Sequence, residues 1–193
     1  NSHPFMRELW GRHWIFAHNG DLLDFNPPLS GRFQPVGSTD SERAFCYILD
    51  QLYLKFGENT PSLEDMFDYL TEIAPKIAEH GTLNYCLSNG QALFTYATTK
   101  LHWIVREYPF QHARLIDLDM EIDFSQVTTP EDRVAVITTE PLTDNEVWTA
   151  YQPGEMILFK DGKIHRQALT TVARLEREKK DPSLIRKTRA DQH

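Results

Sequence analysis

The chain predicts an α+β layered domain, and three observations carry that expectation. Two amphipathic helical patterns stand together between residues 39 and 81, a series of short strand patterns follows through residue 166, and an apolar run closing on Asn-Gly precedes both. Helices grouped ahead of many strands, rather than alternating with them, belong to segregated layers. No internal repeat and no second domain is visible.

Taken in order, Trp14-Ile15-Phe16-Ala17 is the continuous apolar pattern of a buried strand, and Asn19-Gly20 just beyond His18 predicts a tight turn. Residues 21–37, with Pro27-Pro28 and Gly31, read as a surface loop. Thr39 and Glu42 have capping-box spacing, and Phe45, Ile48, Leu49, Leu52 and Phe56 make one apolar stripe behind them. Thr60-Pro61 predicts the start of a second helix with Leu63, Met66, Phe67, Leu70, Ile73 and Ile77 inside and Gly81 as its stop. Pro75 should kink that helix or divide it in two. Leu83–Leu87 and Ala92–Ala97 flank Ser88-Asn89-Gly90 as a hairpin, and Leu101–Arg106 reads as a third strand. Further strands are expected at Ala113–Leu118, Val134–Thr138 and Met156–Lys160, the last turned by Asp161-Gly162 into Lys163–Arg166. Residues 168–193 read as a basic helix breaking near Asp181-Pro182 and a frayed end, so the expected division is a domain over 1–167 and a tail over 168–193.

Composition narrows the function classes. The 193 residues suffice for one core without disulfide staples. Two separated cysteines suit a reducing compartment, and the expected location is the cytoplasm. No apolar run approaches a membrane span, so no membrane partner is expected. The net charge of −8 is uneven: residues 163–193 hold nine Lys/Arg against four Asp/Glu, leaving eleven against twenty-four in residues 1–162. An acidic body repels phosphates, which argues against nucleic acid as a partner. The eight histidines show no His-x-His or His-Glu-x-x-His spacing and the cysteines no paired spacing, so neither a metal site nor a cofactor is expected.

The chemistry concentrates near the first turn. The side-chain amide of Asn19 and the backbone N–H of Gly20 are adjacent donors, the parts of an oxyanion hole, although an isolated Asn-Gly is far more often a plain turn. His3-Pro4-Phe5 and Glu8-Leu9-Trp10-Gly11-Arg12 stand upstream of Ala17-His18-Asn19-Gly20, and Val36-Gly37-Ser38-Thr39-Asp40-Ser41-Glu42 stands downstream. In this order and spacing the motifs resemble the class II glutamine amidotransferases, above all their stand-alone bacterial YafJ-type branch. Leu101-His102-Trp103-Ile104, Glu121-Ile122-Asp123-Phe124-Ser125 and Gln152-Pro153-Gly154-Glu155 extend the likeness to about Phe159.

The resemblance implies part of the four-layer αββα sandwich of N-terminal nucleophile hydrolases. It implies hydrolysis of the glutamine side-chain amide or of a γ-glutamyl bond, with Asn19 and Gly20 as the oxyanion pair and Asp40 binding the substrate amino group. Asp40 also suits the first turn of a helix as an acidic residue opposite the dipole, and the two roles are compatible. His3 and His18 would shape the glutamine pocket, or serve as buried structural histidines. The implied partners are glutamine or a γ-glutamyl compound and a separate ammonia-accepting protein; the oligomeric state is not implied.

The family nucleophile is an N-terminal cysteine whose own α-amine is the base. Here the chain opens on Asn1, and Cys46 and Cys86 lie inside predicted elements, where they read as small buried hydrophobes. The family's substrate-clamping Arg upstream of His-Pro-Phe is not represented either. The expectation is a domain lacking its first strands, with the thiolate supplied by a segment outside these residues; the alternative is a catalytically inactive fragment or regulatory binding module that keeps the glutamine pocket.

Overall fold

The structure, a computed structural model, describes residues 2–110, 112–114, 116, 121–123 and 129–182. Strands β1 (Phe5–Leu9) and β2 (Arg12–Asn19) form an antiparallel hairpin in which Phe5 faces Phe16 and Leu9 faces Arg12. Its two-residue turn, Trp10-Gly11, has φ of 55° and 69°, the left-handed pair that matches strand twist. A tryptophan is a poor candidate for that conformation. It is held by tertiary contacts: its indole N–H donates to the Gly57 carbonyl at 2.8 Å, and its ring packs edgewise on Trp14 and Phe56.

Helix α1 (Asp40–Phe56) starts where the Thr39/Glu42 spacing predicts, with the Thr39 hydroxyl accepting from Glu42 N–H at 3.3 Å. The Glu42 carboxylate turns to the Val36 and Gly37 amides at 3.1 and 2.7 Å and to Arg7 at 2.6 Å. Helix α2 (Leu63–Ala78) starts later than Thr60-Pro61 suggests, because Ser62 takes the capping position and accepts from Asp65 N–H at 3.0 Å. Pro75 does not divide it. The proline sits in the last turn, so the helix runs on only three residues beyond it.

Strands β3 (Asn84–Ser88) and β4 (Leu93–Ala97) form the expected hairpin. They are followed by β5 (His102–Glu107), β6 (His112–Arg114), β7 (Glu121–Asp123), β8 (Arg133–Thr138), β9 (Thr149–Ala150), β10 (Glu155–Lys160), β11 (Lys163–Leu169) and helix α3 (Ala173–Lys180). The strand expected over Ala113–Leu118 is seen only in its first residues as part of β6; Leu115, Asp117 and Leu118 lie outside the described residues. β11 outruns its predicted end at Arg166 by three residues, and α3 closes just before Asp181-Pro182.

An antiparallel sheet in the order β1-β2-β3-β4-β10-β11 forms the centre, and β8-β5-β9 forms a smaller sheet. Alternation along β10 assigns the layers. Met156 and Leu158 join the core with α1 and α2, whereas Ile157 and Phe159 face Trp103, Val105 and Ile137 of the smaller sheet. The order is helices, large sheet, small sheet, the α+β layering the sequence predicts. The main core is aromatic: Phe16 stacks on Phe45 of α1 at 5.3 Å, and Trp14 stacks on Phe94.

Candidate functional site

The Asn19-Gly20 pair lies at the end of β2, and it is not a hairpin turn. Gly20 has a φ of 151°, and the chain passes beside Gly81 and Thr82 at the exit of α2. Thr82 N–H donates to the Asp21 carbonyl at 3.0 Å, and Leu22 bridges Gly81. Two glycines make this crossing feasible. A Cβ on Gly20 would lie 2.1 Å from the Thr82 carbonyl oxygen, and one on Gly81 would lie 2.0 Å from that of Asp21. Gly20 is thus required by a close backbone approach rather than by turn geometry.

His18 locks the same crossing from the helix side. It is buried, with Nε2 3.0 Å from the Thr82 carbonyl oxygen and Nδ1 2.9 Å from the Ser41 hydroxyl. A carbonyl only accepts, so Nε2 carries the proton and, in the neutral ring, Nδ1 accepts from Ser41. Burial lowers the His18 pKa below its ordinary value and outweighs the opposing Thr82 hydrogen bond and the charge of Asp40, so the ring is neutral at neutral pH.

Asp40 is tied into this group at the first turn of α1. One carboxylate oxygen accepts from Leu22 N–H at 2.7 Å, and the other from Ser41 N–H at 2.7 Å and faces the Ser41 hydroxyl at 3.2 Å. Among the described residues Asp40 makes no salt bridge, whereas Glu42, two residues on, is paired with Arg7 at 2.6 Å. The two carboxylates differ in kind: Glu42 is paired with a cation inside the fold, and Asp40 is held by backbone N–H donors.

His3, His18, Asn19, Asn84, Cys86 and Thr139 help line a cleft of about 220 Å³ between the two sheets. Asp40 lies outside that lining. The structure therefore brings His3, His18 and Asn19 to one cleft, with Gly20 next in the chain and Asp40 behind it through Ser41 and Leu22. The Asn19 amide reaches Thr139 at 3.3 Å, a long contact that leaves it available to a better acceptor. His3 is exposed at the rim, its ring edgewise on Phe5 at 4.7 Å.

Sequence reasoning passed over Asn84, Ser41 and Thr82. Asn84 pairs with Asn19 across the β2–β3 register, donates to its carbonyl at 3.0 Å, and accepts from Thr98 and Thr99 N–H at 3.0 and 3.1 Å. A polar residue at the start of an otherwise apolar strand is the one signal it offered. Cys46 is fully buried, and burial raises its thiol pKa; burial pushes Cys86 up to about 11. Both stay protonated thiols at neutral pH. Among the described residues no group of three or more His, Cys, Asp or Glu is placed to hold a metal ion, and no helix is long and apolar enough to cross a membrane.

Helices packed on one of two stacked antiparallel sheets, with donors gathered at a strand end beside the inter-sheet cleft, make a layered α+β domain. Residues 1–183 match the family model of class II glutamine amidotransferases, and the chain belongs to that family. It is 47% identical over 159 residues to YafJ of Escherichia coli (strain K12), provisionally named a glutamine amidotransferase. It is 44% identical over 172 residues to a similarly named Haemophilus influenzae protein. These matches take in 82% and 89% of this chain but only 62% and 58% of the relatives' lengths. A crystal structure from Pseudomonas aeruginosa PA01, described as a "predicted glutamine amidotransferase", superposes with a TM-score of 0.78 at 47% identity, covering 86% of this chain and 65% of that one.

Proposed function

We propose that these residues form the oxyanion and amino-group subsites of a glutaminase that hydrolyses the side-chain amide of glutamine or a γ-glutamyl bond. The observation that carries this reading is the Asn19-Gly20 strand end, held rigid against Thr82 with the Asn19 amide beside the cleft. Attack of a thiolate on the amide carbon converts the carbonyl oxygen to an oxyanion, which the Asn19 Nδ2–H and Gly20 N–H would stabilise. Collapse expels ammonia and leaves a thioester; water then releases glutamate and regenerates the thiol. The thiolate comes from outside residues 1–193, since Cys46 is fully buried and the half-buried Cys86 beside the cleft is held as a protonated thiol, its pKa pushed up to about 11. Asp40, with a charge balanced by no cation among the described residues, binds the substrate ammonium, and His3 and His18 shape the pocket. The ammonia goes to water or to a separate acceptor protein.

Steady-state kinetics on the full-length protein test the assignment. Asn19→Ala removes a donor to charge present only in the transition state, so kcat falls about 100-fold or more while KM changes little. Asp40→Asn removes a contact to a charge that persists throughout, so its loss falls mainly on KM, and it shrinks with an analogue lacking the α-amine. Equal losses with both substrates refute the amino-group role. A wild-type protein that binds glutamine without releasing ammonia favours the second reading, a regulatory module that keeps the pocket without turnover.

A further inference from the structure

The basic tail has no part in the chemistry described above, yet one of its residues reaches Asp21, next to Asn19-Gly20, through a single intervening peptide. Val172 and Leu175 seat α3 against the main core. Arg174, at the first turn of α3, then spreads its guanidinium over the exit of α2. Nε donates to the Ala78 carbonyl at 3.0 Å and Nη2 to the Gly81 carbonyl at 2.9 Å, while Nη1 is held by Glu178 at 2.6 Å. Its own backbone N–H donates to the Glu79 carboxylate at 2.8 Å. The side chain is only 17% exposed, so these bonds are largely shielded from water.

The Gly81 carbonyl belongs to the peptide that leads into Thr82, and that peptide is the strap crossing Gly20 and Asp21. Thr82 N–H is bonded to Asp21, its carbonyl is bonded to His18, and its carbonyl oxygen occupies the space a Gly20 Cβ would need. The 81–82 peptide carries the N–H bonded to Asp21, and the carbonyl that faces Gly20 belongs to the next peptide, so a rotation at 81–82 reaches the Asn19-Gly20 donors through Asp21 and through the Thr82 Cα. One end of the strap is fixed by β3. The other is the C-terminus of α2, where the Ala78 carbonyl accepts a long 3.3 Å bond from Gly81 N–H beside the 3.0 Å bond from Arg174.

We propose that Arg174 is a positioning residue for the oxyanion turn, acting on Gly20 through the carbonyl of Gly81. The proposal rests on Asn19 and Gly20 being the oxyanion donors. An arginine suits the task because its planar fork serves two carbonyls at once, which a lysine ammonium on a flexible stem does not reproduce. Arg177 supplies the internal comparison. It also docks α3 onto the end of α2, at 2.8 Å from Glu79, but it reaches no carbonyl of the strap.

The test compares Arg174→Ala, Arg174→Lys and Arg177→Ala in the full-length protein by two readouts. The first is amide hydrogen exchange at Thr82, which needs no activity: both Arg174 variants should exchange at least about tenfold faster there, and Arg177→Ala should not. The second is glutamine hydrolysis: Arg174→Ala should lose about tenfold in kcat with KM within twofold, since a displaced oxyanion donor acts on the transition state. If Arg174→Ala and Arg177→Ala lower Tm alike and leave Thr82 exchange and kcat alike, Arg174 merely docks the tail and the proposal falls. Faster Thr82 exchange with unchanged kcat overturns the catalytic link. A wild type without glutaminase activity while Thr82 responds refutes the oxyanion reading instead, and leaves the mechanical link intact.

Discussion

Replacing Gly20 by alanine isolates what the backbone crossing demands. The new Cβ would stand 2.1 Å from the Thr82 carbonyl oxygen, 2.7 Å from its carbon and 2.9 Å from Cγ2. Non-bonded carbon contacts settle near about 3.5 Å, so the strap must retreat by more than about 1 Å. Retreat breaks or stretches two hydrogen bonds, Thr82 N–H to Asp21 and His18 to the Thr82 carbonyl, each 3.0 Å long. At about 1 kcal/mol each, with about 1–3 kcal/mol for holding alanine at a φ of 151°, the sum is about 3–5 kcal/mol. For a domain of this size that is a fall in Tm of about 10 °C. Asn19→Ala is the matched control, since it gives up only a 3.3 Å exposed contact to Thr139 and should cost less than about 0.5 kcal/mol. Thermal melts of the two full-length variants against wild type decide the matter. A Gly20→Ala protein melting within about 2 °C of wild type would refute the crossing as the reason for glycine.

Two further outcomes follow from the same region. Glu42→Ala strands the Arg7 guanidinium and the Val36 and Gly37 amides around a 2% exposed site, and urea unfolding should show a loss of about 3–5 kcal/mol. His18 has a folded pKa below its unfolded value, so between the two the unfolded chain binds more protons. Its contribution is therefore present above about pH 6.5 and is lost as pH falls through the folded pKa, at up to about 1.4 kcal/mol per pH unit. His18→Asn should flatten the stability–pH curve in that window, as read by urea midpoints from pH 7 to pH 5; an unchanged slope would contradict a buried neutral ring.

What could be read from the sequence was what local rules determine. The Thr39/Glu42 spacing marked the start of α1, and the apolar stripes named the inward faces of both helices, with Phe45, Ile48, Leu49, Leu52, Met66, Leu70, Ile73 and Ile77 all buried. The β1–β2 hairpin was missed because its turn uses Trp10, whose left-handed backbone is held by a hydrogen bond to Gly57, 47 residues away. Asn19-Gly20 was placed at the right strand end for an incomplete reason: turn chemistry suggested glycine, whereas the approach of Thr82 requires it. Ser41, Thr82 and Asn84 carry no motif of their own, since their roles exist only once α1, the exit of α2 and β3 meet around His18 and Asn19.

The contrast between Asp40 and Glu42 shows how one short motif divides its charges. Both lie in the first turn of α1, where a carboxylate gains from the helix dipole, so position alone does not separate them. Their partners do. Glu42 is sealed against Arg7 and two amides, and an ion pair so buried serves the fold and offers nothing outward. Among the described residues Asp40 is held by neutral donors: two backbone N–H groups fix its orientation, and the His18 ring that interacts with it is kept neutral by burial. A carboxylate that is oriented but not neutralised keeps a full charge to offer a cation, and the ammonium of an amino acid is such a cation. Were His18 charged at neutral pH, it would compete for that field from within hydrogen-bonding reach of Ser41. Burial of His18 thus holds the Asn19-Gly20 strand end, through Thr82, and keeps the ring from adding a positive charge beside Asp40.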